Sequence, residues 1–211
     1  EEVLKELHDG MRILDMCTGS GCILLSLLHY SNDCEGLGVD LSAEALQVAE
    51  QNAQRILGEN FSEPKDCGVK TFETESDDAE TAINTAGNET AGRVRFQQSD
   101  LFEKVEGKFE IIVSNPPYIA SAEVDRLMPE VRDHEPRMAL DGTADGLEFY
   151  RRIIVEAGQY FVSSGMLFFE IGYDQGQAVS ELMREHGYRE VQVVQDYAGL
   201  DRVVYGTYVT V

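Results

Sequence analysis

The chain has 211 residues, 43% of them hydrophobic, which fits one globular domain with a sizeable core or one domain carrying an insertion. Its formal net charge of −22 and its scattered Lys and Arg residues argue against nucleic acid as the main partner, because phosphate backbones are bound by basic patches. The sequence has no apolar run long enough to cross a membrane, and its first residues do not form the basic and apolar regions of a signal peptide.

Apolar strands alternate with helical segments along the chain. The predicted strands are 11–16, 36–39, 94–97, 109–114, 166–171, 191–194 and 203–209, of which the last two form a closing pair. The predicted helices are 22–30, 43–57, 147–161 and 175–185, and Ser42 is the predicted N-cap of the second. This alternation predicts an α/β fold with a mainly parallel seven-stranded sheet and helices on both faces.

Residues 58–92 interrupt the alternation. The segment has no apolar period and holds nine acidic residues against two lysines, a composition typical of disorder. A structureless loop of this length is uncommon inside a compact domain. We therefore predict an acidic insertion between the second helix and the third strand of a single domain at 1–211. Docking of a basic partner is an alternative role for it.

The cysteines indicate a reducing compartment. No two of the four form a C-x-x-C pair, so the sequence predicts no zinc site and no other metal site. We expect reduced thiols in a cytoplasmic protein, or in one from an organellar matrix. The four are Cys17, Cys22, Cys34 and Cys67.

A glycine-rich turn joins the first predicted strand to the first predicted helix. Glycine allows a sharp turn and a close approach of a ligand to the backbone. Backbone N–H groups at the start of the helix can then hold a carboxylate. The turn therefore predicts a nucleotide-type cofactor site. Its residues are Asp15, Met16, Cys17, Thr18, Gly19, Ser20 and Gly21.

Three acids at successive strand ends favour S-adenosylmethionine over NAD as that cofactor. Asp15 precedes the turn, where a carboxylate can meet the ammonium group of a methionine moiety. Asp40 ends the next strand about twenty residues later, where it can accept hydrogen bonds from both ribose hydroxyls. Asp100 follows the third strand, where it or its neighbours can contact an adenine amino group.

The most informative stretch is Asn115-Pro116-Pro117-Tyr118, directly after the fourth strand. The prolines fix φ and remove two backbone donors, which leaves a stiff loop rich in acceptors. The Asn115 side-chain oxygen and the Pro116 carbonyl can each accept one hydrogen of an NH2 group, and the Tyr118 ring can stack on it. Such a loop favours methyl transfer to a planar amide or amino nitrogen, because an activated methyl group mainly requires alignment and exclusion of water.

The sequence resembles the class I methyltransferases and, more narrowly, the HemK/PrmC family, the N5-glutamine methyltransferases of peptide chain release factors. The resemblance covers nearly the whole chain except the acidic insertion. The Asn-Pro-Pro-Tyr motif is shared with DNA adenine methyltransferases, so the narrower match depends on further stretches. These are the motif with Ile119, Glu130 to Arg137, Ala139 to Gly142, Asp145 to Arg152, Asp196-Tyr197 and Asp201-Arg202.

This resemblance implies methyl transfer from S-adenosylmethionine to the glutamine of a Gly-Gly-Gln motif in a release factor, with S-adenosylhomocysteine as product. The implied catalytic residues are Asn115, Pro116, Pro117 and Tyr118. The residues expected to bind the cofactor are Asp15, Cys17, Thr18, Gly19, Ser20, Gly21, Asp40, Leu41, Asp100, Leu101 and Asn115. Glu135-Pro136-Arg137 is expected to shape the substrate side of the cleft or to form a structural salt bridge. We expect a monomer with no membrane partner.

Three departures from the family pattern lead to further expectations. Cys17 stands where the family has glycine, which puts the shape of the turn in question because φ > 0 is costly for cysteine. The acidic insertion is not typical of the family. The chain begins inside the helix before the first strand, so that the family's N-terminal helical domain lies outside it. We expect such a fragment to bind cofactor but to methylate a release factor poorly.

Three other functions remain open at this stage. A nucleic-acid amino methyltransferase shares the Asn-Pro-Pro-Tyr chemistry but requires phosphate contacts and a base-flipping pocket. A non-catalytic cofactor-binding subunit is disfavoured by the intact Asn115 and Tyr118. An NAD-dependent dehydrogenase is disfavoured because no candidate catalytic His or Tyr-Lys pair follows a strand of the cleft.

Overall fold

A single sheet organises the chain, of which the computed structural model describes residues 1–58 and 93–210. The predicted insertion at 58–92 therefore lies outside the described residues except for Gly58, and so does Cys67. The strands are β1 (Arg12–Met16), β2 (Glu35–Asp40), β3 (Val94–Gln98), β4 (Phe109–Ser114), β5 (Phe161–Glu170), β6 (Arg189–Gln195) and β7 (Asp201–Val209). Their order is β3-β2-β1-β4-β5-β7-β6.

The sheet confirms the predicted class. β7 is antiparallel to both β5 and β6, whereas the other neighbouring strands are parallel. The helices are α1 (Glu2–Glu6), α2 (Cys22–His29), α3 (Ala43–Leu57), α4 (Ser121–Val124), α5 (Pro129–Arg132), α6 (Arg137–Leu140), α7 (Glu148–Ala157) and α8 (Gly176–Glu185). No described helix has both the length and the apolar character that a membrane span requires.

Alternation along the central strands buries both faces of the sheet. Leu14 and Met16 of β1 belong to one core cluster, which includes residues of α7 and α8. Ile13, which directly precedes Leu14, belongs to the other cluster with residues of α2 and α3. Because successive side chains of a strand point to opposite faces, one short apolar strand serves both cores. Helices therefore cover both faces, as the sequence predicts.

Several predicted boundaries match the structure closely. β4 and α3 have the predicted bounds, and the Ser42 hydroxyl accepts a hydrogen bond from Ala45 N at 3.1 Å, which confirms it as the N-cap. The other strands and helices in the first half of the chain agree within one residue or two. These elements carry strong local signals, namely apolar periodicity and a cap.

The region around α7 and β5 corrects the sequence prediction. α7 ends at Ala157 and a 3₁₀ turn follows at Gly158–Tyr160, so the predicted helix at 147–161 is too long. β5 begins at Phe161 and not at residue 166, because Ser164 and Gly165 pair with Val209 and Tyr208 of β7. The pairing with β7 thus extends a strand through polar residues that have little strand propensity of their own. The short helices α4, α5 and α6 were not predicted either.

Candidate functional site

A cavity of about 740 Å³ opens at the carboxyl ends of the central strands. β1 and β4 are neighbours in the sheet. The chain after β1 leads to β2 on one side, and the chain after β4 leads to β5 on the other side. Such a reversal of strand order is the point where α/β sheets bind ligands. The volume lies within the range of small-molecule sites, about 300–1,000 Å³. Twelve of the predicted site residues line it, namely Cys17, Thr18, Gly19, Ser20, Asp40, Leu41, Asp100, Leu101, Asn115, Pro116, Pro117 and Tyr118.

Hydrogen bonds fix the glycine-rich turn after β1. Thr18 N donates to Val39 O at 2.9 Å, and Gly21 N donates to Thr18 O at 2.9 Å. Gly19 and Gly21 have φ of 55° and 78°, a region that glycine enters without the steric cost of a Cβ. The turn thus exposes backbone at the start of α2. Gly21 faces away from the cavity, where an added Cβ would lie 3.2 Å from Ala49 Cβ of α3.

Cys17 keeps the turn in shape despite the absence of glycine. Its φ is 59°, so the cysteine itself adopts the left-handed conformation that the family's glycine would supply. This conformation costs an ordinary residue about 1–2 kcal/mol. Burial, followed by the nearby Asp40 carboxylate, raises the pKa of the thiol to about 12. Cys17 is therefore a neutral thiol at the wall of the cavity and not a nucleophile.

Asp15 lies beneath the turn and does not line the cavity. Its Oδ2 accepts hydrogen bonds from the Thr18 hydroxyl at 2.7 Å and from Leu24 N at 3.3 Å. Within the described part of the chain, its buried Oδ1 has no hydrogen-bond partner. Burial raises the pKa of this carboxyl to about 7. Its predicted contact with a ligand ammonium group stays a prediction, and the Oδ1 atom is the one free to make it.

Asp40 joins the glycine-rich turn to α3. Its Oδ2 accepts from Gly19 N at 2.8 Å, and its Oδ1 accepts from Ser42 N at 2.9 Å. Each carboxylate oxygen keeps a further lone pair, so both can still accept from the hydroxyls of a ribose. The carboxylate is thus held in a fixed orientation at the cavity wall. Leu41 beside it is 54% exposed and offers an apolar surface.

Asp100 is already engaged by a basic side chain. Its Oδ1 accepts from Arg152 Nη2 of α7 at 2.8 Å, in an ion pair that is exposed to solvent. Leu101, which follows it, is buried and has φ of 47°, an uncommon conformation for a residue with a Cβ. Arg152 was quoted in the sequence only as part of a family motif. The structure shows that it orients the acid predicted to lie beside an adenine.

The Asn115–Tyr118 loop forms the opposite wall of the cavity. It begins directly after β4, where the Ser114 hydroxyl donates to Met16 O of β1 at 2.7 Å. Beyond it, Ile119 and Asp141 form an isolated parallel bridge, with Ile119 N donating to Leu140 O at 3.0 Å. The loop therefore enters from the sheet and leaves along a second segment, at 140–142, of which Leu140 and Asp141 also line the site.

Glycines allow this second segment to lie against the loop. A Cβ on Gly142 would lie 2.7 Å from Pro117 O and 2.8 Å from Tyr118 Cα. A Cβ on Gly146 would meet Tyr118 O at an even shorter distance, and Gly146 has φ of 73°. Both positions therefore require glycine for backbone contact. The sequence contained these glycines, but no local pattern indicated what they touch.

The substrate side of the cavity combines the two roles considered for Glu135-Pro136-Arg137. Glu135 and Pro136 line the cavity. Arg137 instead pairs with Asp125 at 2.6 Å and with Asp141 at 3.4 Å. Sequence reasoning missed Met138 and Phe149 as lining residues, and it treated Gln175 only as the start of a helix. No local signal marks any of these, because each reaches the site through tertiary packing.

The cavity is acidic. Among the described residues that line it, four are carboxylic acids and none is Lys or Arg; the acids are Asp40, Asp100, Glu135 and Asp141. Over residues 1–58 and 93–210, no three His, Cys, Asp or Glu side chains are grouped so that they could hold a metal ion. The site is thus built to accept hydrogen bonds from uncharged or cationic groups.

Comparison with protein families matches this site to methylating enzymes. A family described as "Methyltransferase domain" matches residues 7–62, which include the glycine-rich turn and Asp40. A second family, described as "Eco57I restriction-modification methylase", matches residues 35–140, which include the Asn115–Tyr118 loop. The two matches together cover both walls of the cavity.

Individual relatives carry a more specific name. A protein of Agrobacterium fabrum named "Release factor glutamine methyltransferase" is 40% identical over 193 residues, which are 92% of this chain and 56% of the relative. A protein of Caulobacter vibrioides with the same name is 40% identical over 208 residues, which are 98% of this chain and 61% of the relative. The chain thus spans less than two thirds of the length of these relatives.

A solved structure supports the fold. The crystal structure of a methyltransferase from Pyrococcus furiosus superposes with a TM-score of 0.60 at 15% identity, covering 98% of this chain and 80% of that one. At this identity the similarity concerns the arrangement of strands and helices alone.

Proposed function

The chain belongs to the HemK/PrmC family of methyltransferases, and we propose that it transfers a methyl group from S-adenosylmethionine to the side-chain amide nitrogen of a release-factor glutamine. The observation that carries this proposal is the shared cavity. Its one wall is the glycine-rich turn with Asp40, and its other wall is the Asn115–Tyr118 loop. A cofactor and an NH2 nucleophile bound on these walls would share one space.

The cofactor side fits S-adenosylmethionine by the chemistry of its groups. Asp40 has lone pairs left for ribose hydroxyls. The unpartnered Oδ1 of Asp15 is a buried acceptor suited to an ammonium group. Gly21 does not line the cavity and supports the turn from behind. The other residues of the proposed cofactor site are Cys17, Thr18, Gly19, Ser20, Leu41, Asp100, Leu101 and Asn115.

The nucleophile side suits an amide NH2. The Asn115 side-chain oxygen and the Pro116 carbonyl accept its two hydrogens, which orients the nitrogen lone pair, and the Tyr118 ring stabilises positive charge that develops on nitrogen. S-adenosylmethionine held on the opposite wall would supply an activated methyl group, at which Asn115 and Pro116 would aim the lone pair of the amide nitrogen. Transfer would leave S-adenosylhomocysteine and release one proton from the nitrogen. No strong base is required, because that proton becomes acidic as the bond forms.

The protein partner follows from the same family. The relatives named for release factors match both walls of the site, and Met138, which lines the cavity and is 50% exposed, offers a contact to a protein surface. Release factors act on ribosomes, so we place the reaction in the cytoplasm or in an organellar matrix. We also propose that the chain acts as a monomer, which the mass of the active species in solution would test.

A second candidate function is methylation of an amino group in nucleic acid. The match of residues 35–140 to a restriction-modification methylase family favours it, because that range contains the Asn115–Tyr118 loop. Against it stand the net charge of −22 and the absence of Lys and Arg among the described residues that line the cavity, because phosphate groups are bound by basic side chains. The glutamine target is therefore the better supported of the two.

Methyl transfer from labelled S-adenosylmethionine tests the proposal. The substrates are a purified release factor, its Gln→Ala variant in the Gly-Gly-Gln motif, and double-stranded DNA. Label in the wild-type release factor alone supports the glutamine target, whereas label in DNA supports the second candidate. The full-length Caulobacter vibrioides relative serves as positive control. Cofactor binding without label in any substrate, both for this chain and for a longer form of it, would indicate a non-catalytic subunit.

Asn115→Ala provides the matched test of mechanism. Removing one acceptor that stabilises the transition state is expected to lower kcat by roughly 10²–10³-fold. The control is Asn32→Ala, since Asn32 is exposed in the turn between α2 and β2, at the opposite edge of the sheet. Equal loss of activity in both variants would contradict the assigned role of Asn115.

A further inference from the structure

The side-chain amide of Gln175 lies where three loops of the site meet. Its Nε2 donates to Tyr118 O at 2.9 Å and to Gly146 O at 3.2 Å. Its Oε1 accepts from Gly172 N at 3.0 Å and, at the longer distance of 3.4 Å, from the Tyr150 hydroxyl. The Tyr150 hydroxyl also donates to Glu170 O, at 3.0 Å, so it is the weaker partner of the oxygen. Two carbonyls face the nitrogen and the Gly172 N–H faces the oxygen, so only one orientation of the amide satisfies these three backbone groups.

The loop cannot hold its own end in place. It is anchored at its start, where Asn115 follows β4 and Ser114 bonds to β1. The two prolines have no N–H groups, so the loop offers no donors of its own between Asn115 and Tyr118. The peptide group after Tyr118 therefore depends on outside partners for its position.

The other partner of that peptide group is the end of α6, which is bonded to the chain at 119–125. Ile119 N bonds to Leu140 O, but residues 132–139, which precede it, are exposed throughout. Gln175, in contrast, is the N-cap residue of α8, whose Val179 and Met183 are fully buried in the core. The Gln175 amide is thus the contact that ties the end of the loop to the rigid part of the fold.

The packing around this contact leaves no room for adjustment. An added Cβ on Gly146 would collide with Tyr118 O and would lie 2.9 Å from Gln175 Nε2. An added Cβ on Gly172 would lie 2.9 Å from Gln175 Oε1. Backbone from two loops is therefore packed directly against the amide, which makes its position sensitive to loss of the four hydrogen bonds.

We infer that Gln175 is a positioning residue for methyl transfer. Its amide fixes the Tyr118 carbonyl and so keeps the acceptors of the Asn115–Tyr118 loop at a fixed distance from the cofactor wall, which is the glycine-rich turn with Asp40. The inference rests on the proposed function. It does not make Gln175 a catalytic residue, because the amide touches only backbone and Tyr150. Its removal is expected to impair turnover while the cofactor wall, built from β1 and β2, is unaffected.

Gln175→Met and Gln175→Glu are the informative variants. Methionine keeps the length of the side chain and removes all four hydrogen bonds. Glutamate keeps the shape but presents oxygen to two carbonyls, and its protonated form restores one donor. Gln177→Met is the matched control, because Gln177 is exposed on the same helix and its Nε2 donates only to Glu181, at 2.9 Å.

Three measurements test the inference on the whole chain with a release factor as substrate. For Gln175→Met we expect kcat to fall roughly 10- to 100-fold, as for a displacement of reacting groups on the order of 1 Å, with the Kd for S-adenosylmethionine unchanged. For Gln175→Glu we expect activity relative to wild type to rise as pH falls. Amide hydrogen exchange at Ile119 and Gly142 should accelerate in both variants and not in Gln177→Met.

Each outcome decides one of the two proposals. Wild-type turnover in Gln175→Met with unchanged exchange at Ile119 would overturn the positioning role and leave the proposed function intact. Absence of methyl transfer by the wild-type chain would count against the proposed function, and the exchange measurement, which requires no activity, would still decide whether Gln175 holds the loop. A fall in thermal stability as large in Gln177→Met as in Gln175→Met would also contradict a specific role.

Discussion

Gly142→Ala is expected to slow methyl transfer by moving the Asn115–Tyr118 loop. Gly142 is buried, and its N–H donates to Ile119 O at 2.8 Å. An alanine Cβ would lie 2.7 Å from Pro117 O, whereas ordinary contact begins at 3.4 Å, so the two backbones would have to separate by about 0.7 Å. All three of the nearest atoms are backbone atoms, so no side-chain rotation can relieve the collision.

The magnitude follows from this displacement. Forcing a Cβ into a packed site costs about 1–3 kcal/mol of unfolding free energy. Misplacing reacting groups by about 1 Å can cost about 10²-fold in rate, so we expect kcat to fall roughly 30- to 100-fold. The Kd for S-adenosylmethionine should stay unchanged, because the collision lies on the wall opposite the glycine-rich turn.

Single-turnover methyl transfer and urea unfolding measure the two effects separately. The control is Gly107→Ala: with φ of 96° it should cost about 1–2 kcal/mol through backbone strain, and an added Cβ would meet no described atom within 4 Å. A kcat near that of wild type for Gly142→Ala would refute the reasoning. Equal rate losses in the two variants would show that lower stability, and not the loop, governs activity.

Three further predictions concern stability. Because Cys17 has φ of 59°, Cys17→Gly should be more stable to urea than Cys17→Ala by about 0.5–1 kcal/mol. At most positions glycine is the less stable of the two residues, and that order here would contradict backbone strain at Cys17. Burial raises the pKa of Asp15 to about 7, above about 3.9 in the unfolded chain, so the folded state retains a proton that the unfolded state loses. Between about pH 4 and about pH 7, the free energy of unfolding of the wild-type chain should therefore decline by up to about 4 kcal/mol more than that of Asp15→Asn. Parallel profiles of unfolding free energy against pH for the two proteins would exclude this pKa shift. The Arg93 guanidinium donates to the carbonyls of Cys34, Leu28 and Ser31. Arg93→Met should therefore lower the free energy of unfolding, measured by chemical denaturation, by about 1–3 kcal/mol. The control Arg95→Met, at an exposed position, should lower it by less than about 0.5 kcal/mol.

The residues whose position was predicted best are those that carry a local signal. The bounds of α3 follow from apolar periodicity and the Ser42 cap, and those of β4 follow from a buried apolar run that ends at the prolines. The glycine-rich turn and the Asn115–Tyr118 loop were recognised because glycine and proline change the backbone directly. In each case the physical cause lies within a few neighbouring residues.

The residues that were placed wrongly, or missed, depend on partners far along the chain. β5 runs through Ser164 and Gly165 only because β7 pairs with them. The burial of Asp15 under the turn, which raises its pKa to about 7, was likewise not visible in the sequence, and its contact with a ligand ammonium group stays a prediction. Gln175 resembles any polar residue at the start of a helix until four hydrogen bonds identify its role.

The sequence by itself therefore determined the fold class, the glycine-rich turn, the acids at the strand ends and the stiff, acceptor-rich loop at Asn115–Tyr118. It could do so because strand alternation, backbone freedom and side-chain chemistry are local properties. Only the tertiary structure decided that the turn and the loop form two walls of one cavity, and that Gly142, Gly146 and Gln175 hold the second wall in place. Those contacts join segments separated by dozens of residues, and close packing, which no local pattern encodes, selects them.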